Sequence, residues 1–260
     1  IACIAATNAQ GVTEYQSRRF STYTGSLREL RDWLLANDCK DVCMESTGKY
    51  WFPVHNILEE SCHVVVSHPK FVKAIKGKKT DKKDAQWIAD LFKHDLVRGS
   101  FIPPKDIRQL RDLCRYWVKL SSYMTGEKNR AQNCLTVSNF KLDDVFSNVF
   151  GKSASAITTQ LLEHPGEQFD VAPFVDGRCK TPIAQIQEAV DGIFTYEQAE
   201  KLKIIRGHMD SLERHKAELE SLILEIAQNY LPQIELLLTV PGIHDAFTAI
   251  RRNRGRHDGV

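Results

Sequence analysis

The sequence predicts an α/β protein: a mixed sheet with flanking helices, followed by a long helical region. Three observations predict it. The first hundred residues begin with two strand-like segments and then alternate helix with strand, the order of a mixed sheet covered by helices. At Pro103-Pro104 the character changes. Beyond it run two long stretches in which apolar residues recur every three or four positions, the period of an α-helix.

Residues 1–7 read as a strand, Asn8-Ala-Gln-Gly11 as a turn, and 12–22 as a second, more polar strand paired with the first in a hairpin. Gly25 or Ser26 opens a helix with Leu27, Leu30, Trp33, Leu34 and Leu35 on its apolar side. Asp41-Val-Cys-Met44 is a short strand, and Glu45 follows it directly, ahead of a Ser-Thr-Gly turn. Open α/β sheets place functional groups at such strand ends. The structural alternative is that Glu45 caps the next helix, which holds Val54, Ile57 and Leu58. His63-Val-Val-Val66 is a continuous apolar run suited to a central strand.

Between Lys70 and Lys83 lie seven lysines and one acid, Asp81, and Asp84 follows. A helix then offers Ala85, Ile88, Ala89, Leu91 and Phe92 for burial, with Thr80 or Asp81 as its cap. Asp81 and Asp84, three apart, share a helix face. Two adjacent carboxylates repel unless a cation lies between them, and oxygen ligands suit Mg²⁺ beside substrate phosphates. Lysines around such a site attract a polyanion. The competing reading is a solvated helix start whose aspartates only complement the helix dipole.

Residues 105–135 form a long helical pattern with a basic side: Arg108, Arg111, Arg115, Lys119, Lys128 and Arg130. These charges make either a solvated face or a helix lying along a nucleic-acid backbone. Shorter helices fall in 141–162, and a Pro- and Gly-rich connector in 164–182. Ile205, Met209, Leu212, Lys216, Leu219, Ile223, Ile226 and Tyr230 then alternate spacings of four and three, with Lys216 alone breaking the apolar series. Just over three heptads suggest a coiled coil. A homo-oligomer joined through residues 202–230 is expected, with an intramolecular pairing to the 105–135 helix as the alternative. Pro232 is expected to end this helix. A Pro-Gly turn at 241–242 resembles the loop of helix-hairpin-helix elements. Residues 251–260 have no periodicity.

Composition narrows the function. The net charge of +2 confines any nucleic-acid footprint to a local patch. No apolar run approaches the roughly 20 residues of a membrane span, and no signal peptide is visible, so the cytoplasm is expected. Seven cysteines, odd in number and irregular in spacing, read as reduced thiols. Cys39, Cys43, Cys62 and His63 could be assembled into a zinc set, but the spacing is loose and no second pair follows.

Six stretches together resemble the transposases of the IS-one-ten insertion-sequence family, also called bridge-RNA-guided recombinases. They are Met44-Glu-Ser-Thr-Gly-Lys-Tyr-Trp51, Gly77-Lys-Lys-Thr-Asp-Lys-Lys-Asp-Ala85, Ser100-Phe-Ile-Pro-Pro104, Arg108-Gln-Leu-Arg-Asp-Leu113, Glu127-Lys-Asn-Arg130 and Leu238-Thr-Val-Pro-Gly242. They stand in the family's order, and the combination is specific. The resemblance implies a RuvC-like domain of RNase H fold over 1–100, a helical and coiled-coil region over 105–232, and the start of a C-terminal domain at 233–250. It implies four acids in the order Asp-Glu-Asp-Asp, of which Glu45, Asp81 and Asp84 match the last three and would hold Mg²⁺. It implies DNA and a structured guide RNA as partners, and the basic residues Lys76, Lys78, Lys79, Lys82, Lys83, Lys128 and Arg130 are the nucleic-acid contacts expected.

Two family features are not found within these 260 residues. The first aspartate belongs to a Gly-Ile-Asp-Val-like strand ahead of the one that starts at Ile1, and the nucleophilic serine follows the Val-Pro-Gly-Ile segment. The sequence reading is therefore a transposase shortened at both ends and inactive alone. The alternative is a non-catalytic nucleic-acid-binding and dimerising remnant; a stand-alone RuvC-like nuclease is a third, against which the missing first aspartate and the Pro-Gly-Ile segment argue. One back-translation of the tail, read one base later, gives Glu-Ile-Gly-Ala-Asp-Met-Thr-Val, close to the family's continuation. A frameshift after Ile250 is the expectation there.

Overall fold

The computed structural model describes residues 1–72 and 80–243. The frameshift expectation and the lysines Lys76, Lys78 and Lys79 lie outside them. The chain divides into two units, 1–103 and 104–260.

In the first unit β1 (Ala2–Thr7) and β2 (Thr13–Arg18) form an antiparallel hairpin, with Ala2 opposite Arg18 and Thr7 opposite Thr13. Its turn is built by Asn8, whose side-chain oxygen accepts from the amides of Gln10 (3.0 Å) and Val12 (2.9 Å). Gly11 supplies the left-handed backbone, φ 81°, that a side chain would strain. Helix α1 (Thr24–Ala36) follows, then β3 (Asp41–Glu45), α2 (Trp51–Leu58), β4 (His63–Ser67), the short α3 (Pro69–Val72) and α4 (Asp81–Lys93). β3 and β4 run parallel, Asp41 opposite His63 and Glu45 opposite Ser67.

Strand residues alternate between faces, so directly paired residues share one. Ala2 and Ile4 turn toward a core with Leu27, Leu30 and Leu34 of α1 and Leu58 of α2; Val42, Met44 and Val64 join it from the parallel pair. On the opposite face of the hairpin, the Tyr15 hydroxyl donates to Asp90 of α4 (2.7 Å), and Lys93 donates to the Thr13 hydroxyl (2.6 Å). Helices α1 and α2 therefore cover one side and α4 the other.

The expected α/β class, strands with flanking helices followed by a long helical region, holds; among the described residues the expected mixed sheet is present as two two-stranded pairs, one antiparallel and one parallel. Both strand pairs contribute to the same apolar core, and α4 packs against β1, β2 and β3. A ladder requires strands about 4.8 Å apart, and among the described residues none joins β1 to β3. Beyond β4, the chain at 98–100 completes that edge: the Ser100 amide donates to the Val66 carbonyl (2.7 Å) and the buried Ser67 hydroxyl to that of Arg98 (2.9 Å).

The second unit is built on two long helices, α5 (Lys105–Val137) and α9 (Tyr196–Ala227). They run antiparallel, since Trp117 meets Glu220 while Glu127 meets His208. Between them lie α6 (Leu142–Val145), α7 (Lys152–Glu163) and α8 (Ile183–Ala189); α10 (Leu231–Leu238) follows. The heptad residues of α9 are spent inside the chain. Ile205 packs with Ala131, Cys134 and Leu135, Leu212 with Leu120 and Met124, and Ile223 with Leu110 and Cys114. This corrects the reason for expecting an oligomer through 202–230, because the apolar seam that suggested it already has a partner in α5. Lys216 is accommodated by Trp117: its ammonium lies 4.7 Å from the ring centroid, a cation–π contact, and the indole N–H donates to Glu220 (2.7 Å). Pro232 does not end α9. A 3₁₀ turn at Gln228–Tyr230 does, and Pro232 sits in the first turn of α10, where a missing amide hydrogen costs nothing.

The connector at 164–182 is clamped. Val171 is fully buried and its amide donates to Gln187, whose own amide donates to the Phe169 carbonyl (3.0 Å). The Asp176 amide donates to the Ser153 hydroxyl (2.9 Å).

Two glycines give opposite predictions for unfolding in denaturant. A Cβ on Gly192 would stand 2.5 Å from the Ser138 carbonyl oxygen and 2.9 Å from the Phe140 ring, so Gly192→Ala should destabilise by about 1–3 kcal/mol. Gly207 lies inside α9 with open space around it, and Gly207→Ala should stabilise by about 0.5–1 kcal/mol.

Candidate metal and nucleic-acid site

Glu45 ends β3 and is half-buried. The Thr47 hydroxyl donates to its carboxylate, which fixes one oxygen and leaves the other to a ligand. Between them the Ser46 amide continues the ladder to the Ser67 carbonyl (2.8 Å), and Gly48, at φ 53°, turns the chain toward α2. The capping alternative does not hold. The first turn of α2 is preceded by Tyr50 and has no side-chain cap, so Glu45 is not spent there. Thr47 is the residue that spacing alone did not single out. Its signal was the Ser-Thr-Gly turn, since a hydroxyl two positions past a carboxylate can reach back to it.

Of the two capping options for α4, the structure uses Thr80, whose hydroxyl accepts from the Lys83 amide (3.3 Å). Asp81, exposed, and Asp84, half-buried, then occupy the first turn, where the helix dipole favours a negative charge. Lys82 and Lys83 are exposed beside them. The inner side of α4 is thinly covered: Ala85, Ile88, Ala89, Leu91 and Phe92 are only half-buried, and none of the helix's residues is fully buried. The Trp87 indole N–H is buried and finds no acceptor among the described residues.

Among the described residues, no group of three His, Cys, Asp or Glu side chains is placed to hold a metal ion. Glu45, Asp81 and Asp84 are therefore not gathered into a three-ligand group among the described residues. The zinc set is likewise not assembled. All seven cysteines are free, and burial pushes the Cys43 thiol up to about 11, away from the thiolate a metal requires.

Lys128 and Arg130 lie in the second unit and are engaged there. The Lys128 ammonium rests 5.5 Å from the Phe150 ring centroid. Arg130 donates to the buried Glu127 (2.9 Å), which His208 also contacts (2.9 Å). Among the described residues no helix is long and apolar enough to cross a membrane.

No curated protein matches the chain. A family model described as a transposase, the DEDD type of the IS110 (IS-one-ten) elements, matches residues 2–139, more than half of the chain.

The start of α4 is directly testable. Thr80→Ala removes the side-chain acceptor at its N-cap and should cost about 0.5–2 kcal/mol. Amide exchange should accelerate across the first turn, at Lys82 to Asp84, while β3 and β4 are unchanged.

Proposed function

The chain belongs to the DEDD transposases of the IS110 family, and from that premise we propose that its N-terminal unit carries three acids of a strand-cleavage centre acting on DNA. One observation carries the reading: the family match covers the unit that holds Glu45, Asp81 and Asp84 together with the lysines beside them. The reaction is Mg²⁺-dependent cleavage and exchange of DNA strands. Mg²⁺, when bound, would neutralise charge on the scissile phosphate and steady the departing oxygen.

The protein's own groups would do the rest. Thr47 holds Glu45 in one orientation at the end of β3. The first turn of α4 presents Asp81 and Asp84 from one helix face. Lys82 and Lys83 draw the DNA backbone toward them.

The set needs a fourth acid to hold the ion. In the family pattern that acid rides on a strand ahead of the one beginning at Ile1. We place its seat between β1 and β3. Among the described residues the two sheets share a core without a ladder between them, α4 lies across both with its apolar side half-exposed, and the buried Trp87 indole N–H meets no acceptor. An extended segment laid there would pair both free edges, cover α4 and offer carbonyl oxygens to the indole. A structured guide RNA and a second copy of the chain are the further partners the resemblance implies; the apolar seam of α9 is already covered by α5.

A second reading is a non-catalytic nucleic-acid-binding remnant, favoured by the absence of a three-ligand group among the described residues. A cleavage assay separates the two. The 260-residue chain with Mg²⁺ should give no strand-exchange product. A chain supplied with an aspartate-bearing strand ahead of Ile1 and with the serine region should give product, lost by at least 100-fold in Glu45→Gln, Asp81→Asn or Asp84→Asn, on the scale of charged groups acting on a transition state. Product from the 260 residues alone contradicts the incomplete site. No product from the completed chain, with nucleic-acid binding intact, establishes the remnant.

A further inference from the structure

Helix α5 is long, and its two sides differ. Leu110, Cys114, Leu120, Met124, Ala131 and Cys134 are buried. On the side turned away from that stripe, Arg115 and Lys119 are exposed, with the acid Asp112 beside them. Two tyrosines stand at the margin of this basic side. Tyr116 is 57% exposed and Tyr123 is 49% exposed, well beyond what a tyrosine needs to wet its hydroxyl. Lys119 lies between them and holds its ammonium 5.2 Å from the Tyr123 ring centroid.

Exposed aromatic rings interleaved with cations are costly on a free surface and useful against one class of ligand. Phosphates meet the cations, and bases stack on the rings. Spacing selects between paired and unpaired strands. Seven residues of helix separate Tyr116 from Tyr123 by about 10 Å, whereas bases stacked in a duplex are about 3.4 Å apart. A ring can take a base only once it has left its stack, so the surface suits an unpaired strand lying along the helix.

We propose that Arg115, Tyr116, Lys119 and Tyr123 form a binding surface for single-stranded nucleic acid. It is built wholly within the second unit and does not depend on the acids of the first. A protein that opens DNA strands would have use for such a platform, but the surface stands or fails by itself.

The test is fluorescence anisotropy with the full 260-residue chain and a labelled 20-nucleotide oligothymidylate, set against a duplex of equal length. Tyr116→Ala and Tyr123→Ala should each weaken single-strand binding by about 5- to 150-fold, the range of one base–aromatic stack. Tyr123→Phe should stay within twofold, and duplex binding should not change with any tyrosine variant. Lys119→Ala should weaken both ligands and lower the salt slope by about one. Unchanged single-strand affinity in both alanine variants overturns the proposal, as does an equal loss for the duplex. Should the variants fail to fold, photocrosslinking of the unsubstituted chain to a 5-iodouracil strand decides it. Adducts at Tyr116 or Tyr123 support the surface, and adducts confined elsewhere refute it.

Discussion

The N-terminal unit is held together by side-chain burial at a place where backbone pairing stops. Ile4 of the hairpin and Val42, Met44 and Val64 of the parallel pair pack into one cluster around Leu27, Leu30, Leu34 and Leu58. No ladder crosses from one pair to the other among the described residues. Each buried methylene is worth about 0.8 kcal/mol, so the cluster can hold the layers in place. It cannot satisfy the amide and carbonyl groups along the edges of β1 and β3, and free edges recruit another strand. The position of Glu45 at the end of β3 and of Asp84 on α4 thus depends on a core whose backbone pairing is interrupted between the two strand pairs.

The second unit meets the opposite constraint. Its two long helices pair their interior backbone groups within themselves, and the α9 side of their seam is apolar apart from Lys216. That lysine lies over Trp117, and Trp117 is in turn fixed by Glu220. At the other end of the seam Glu127 is buried between Arg130 and His208, so a charge lost from water regains two partners. The motif containing Glu127 and Arg130 therefore has a structural use within the helix pair. Arg115 and Lys119 lie on the outer side of α5.

Much of this was legible in the sequence because it rests on local rules. Alternation and turn chemistry gave the β1–β2 hairpin, where Asn8 and Gly11 fix the turn. The 3.6-residue period gave α1, α4, α5 and α9 to within a few residues, apart from the N-terminal extension of α9 to Tyr196. Strand pairing beyond the hairpin was not legible. A short apolar run such as His63-Val-Val-Val66 announces a buried strand, but nothing local says which strands it will pair with. The heptad series likewise specified an apolar seam without specifying whose helix would fill it, and α5 fills it. Pro232 stops a helix or starts one equally well, and here Leu231–Leu238 follows it. Of the site, the residue types and the α4 face could be read in advance. The Thr47–Glu45 hydrogen bond was not, and neither was the spacing of the three carboxylates among the described residues, because both depend on how the chain folds back on itself.

On the proposed function, Glu45, Asp81 and Asp84 belong to a metal site that is completed only when a strand bearing a further aspartate occupies the space between β1 and β3. Calorimetric titration of Mg²⁺ tests it most directly, comparing the 260-residue chain with one in which such a strand precedes Ile1. The account predicts no saturable Mg²⁺ binding in the first and a saturable site in the second that Glu45→Gln or Asp84→Asn removes. Saturable binding by the 260 residues alone, or binding by the extended chain that survives both substitutions, would contradict it.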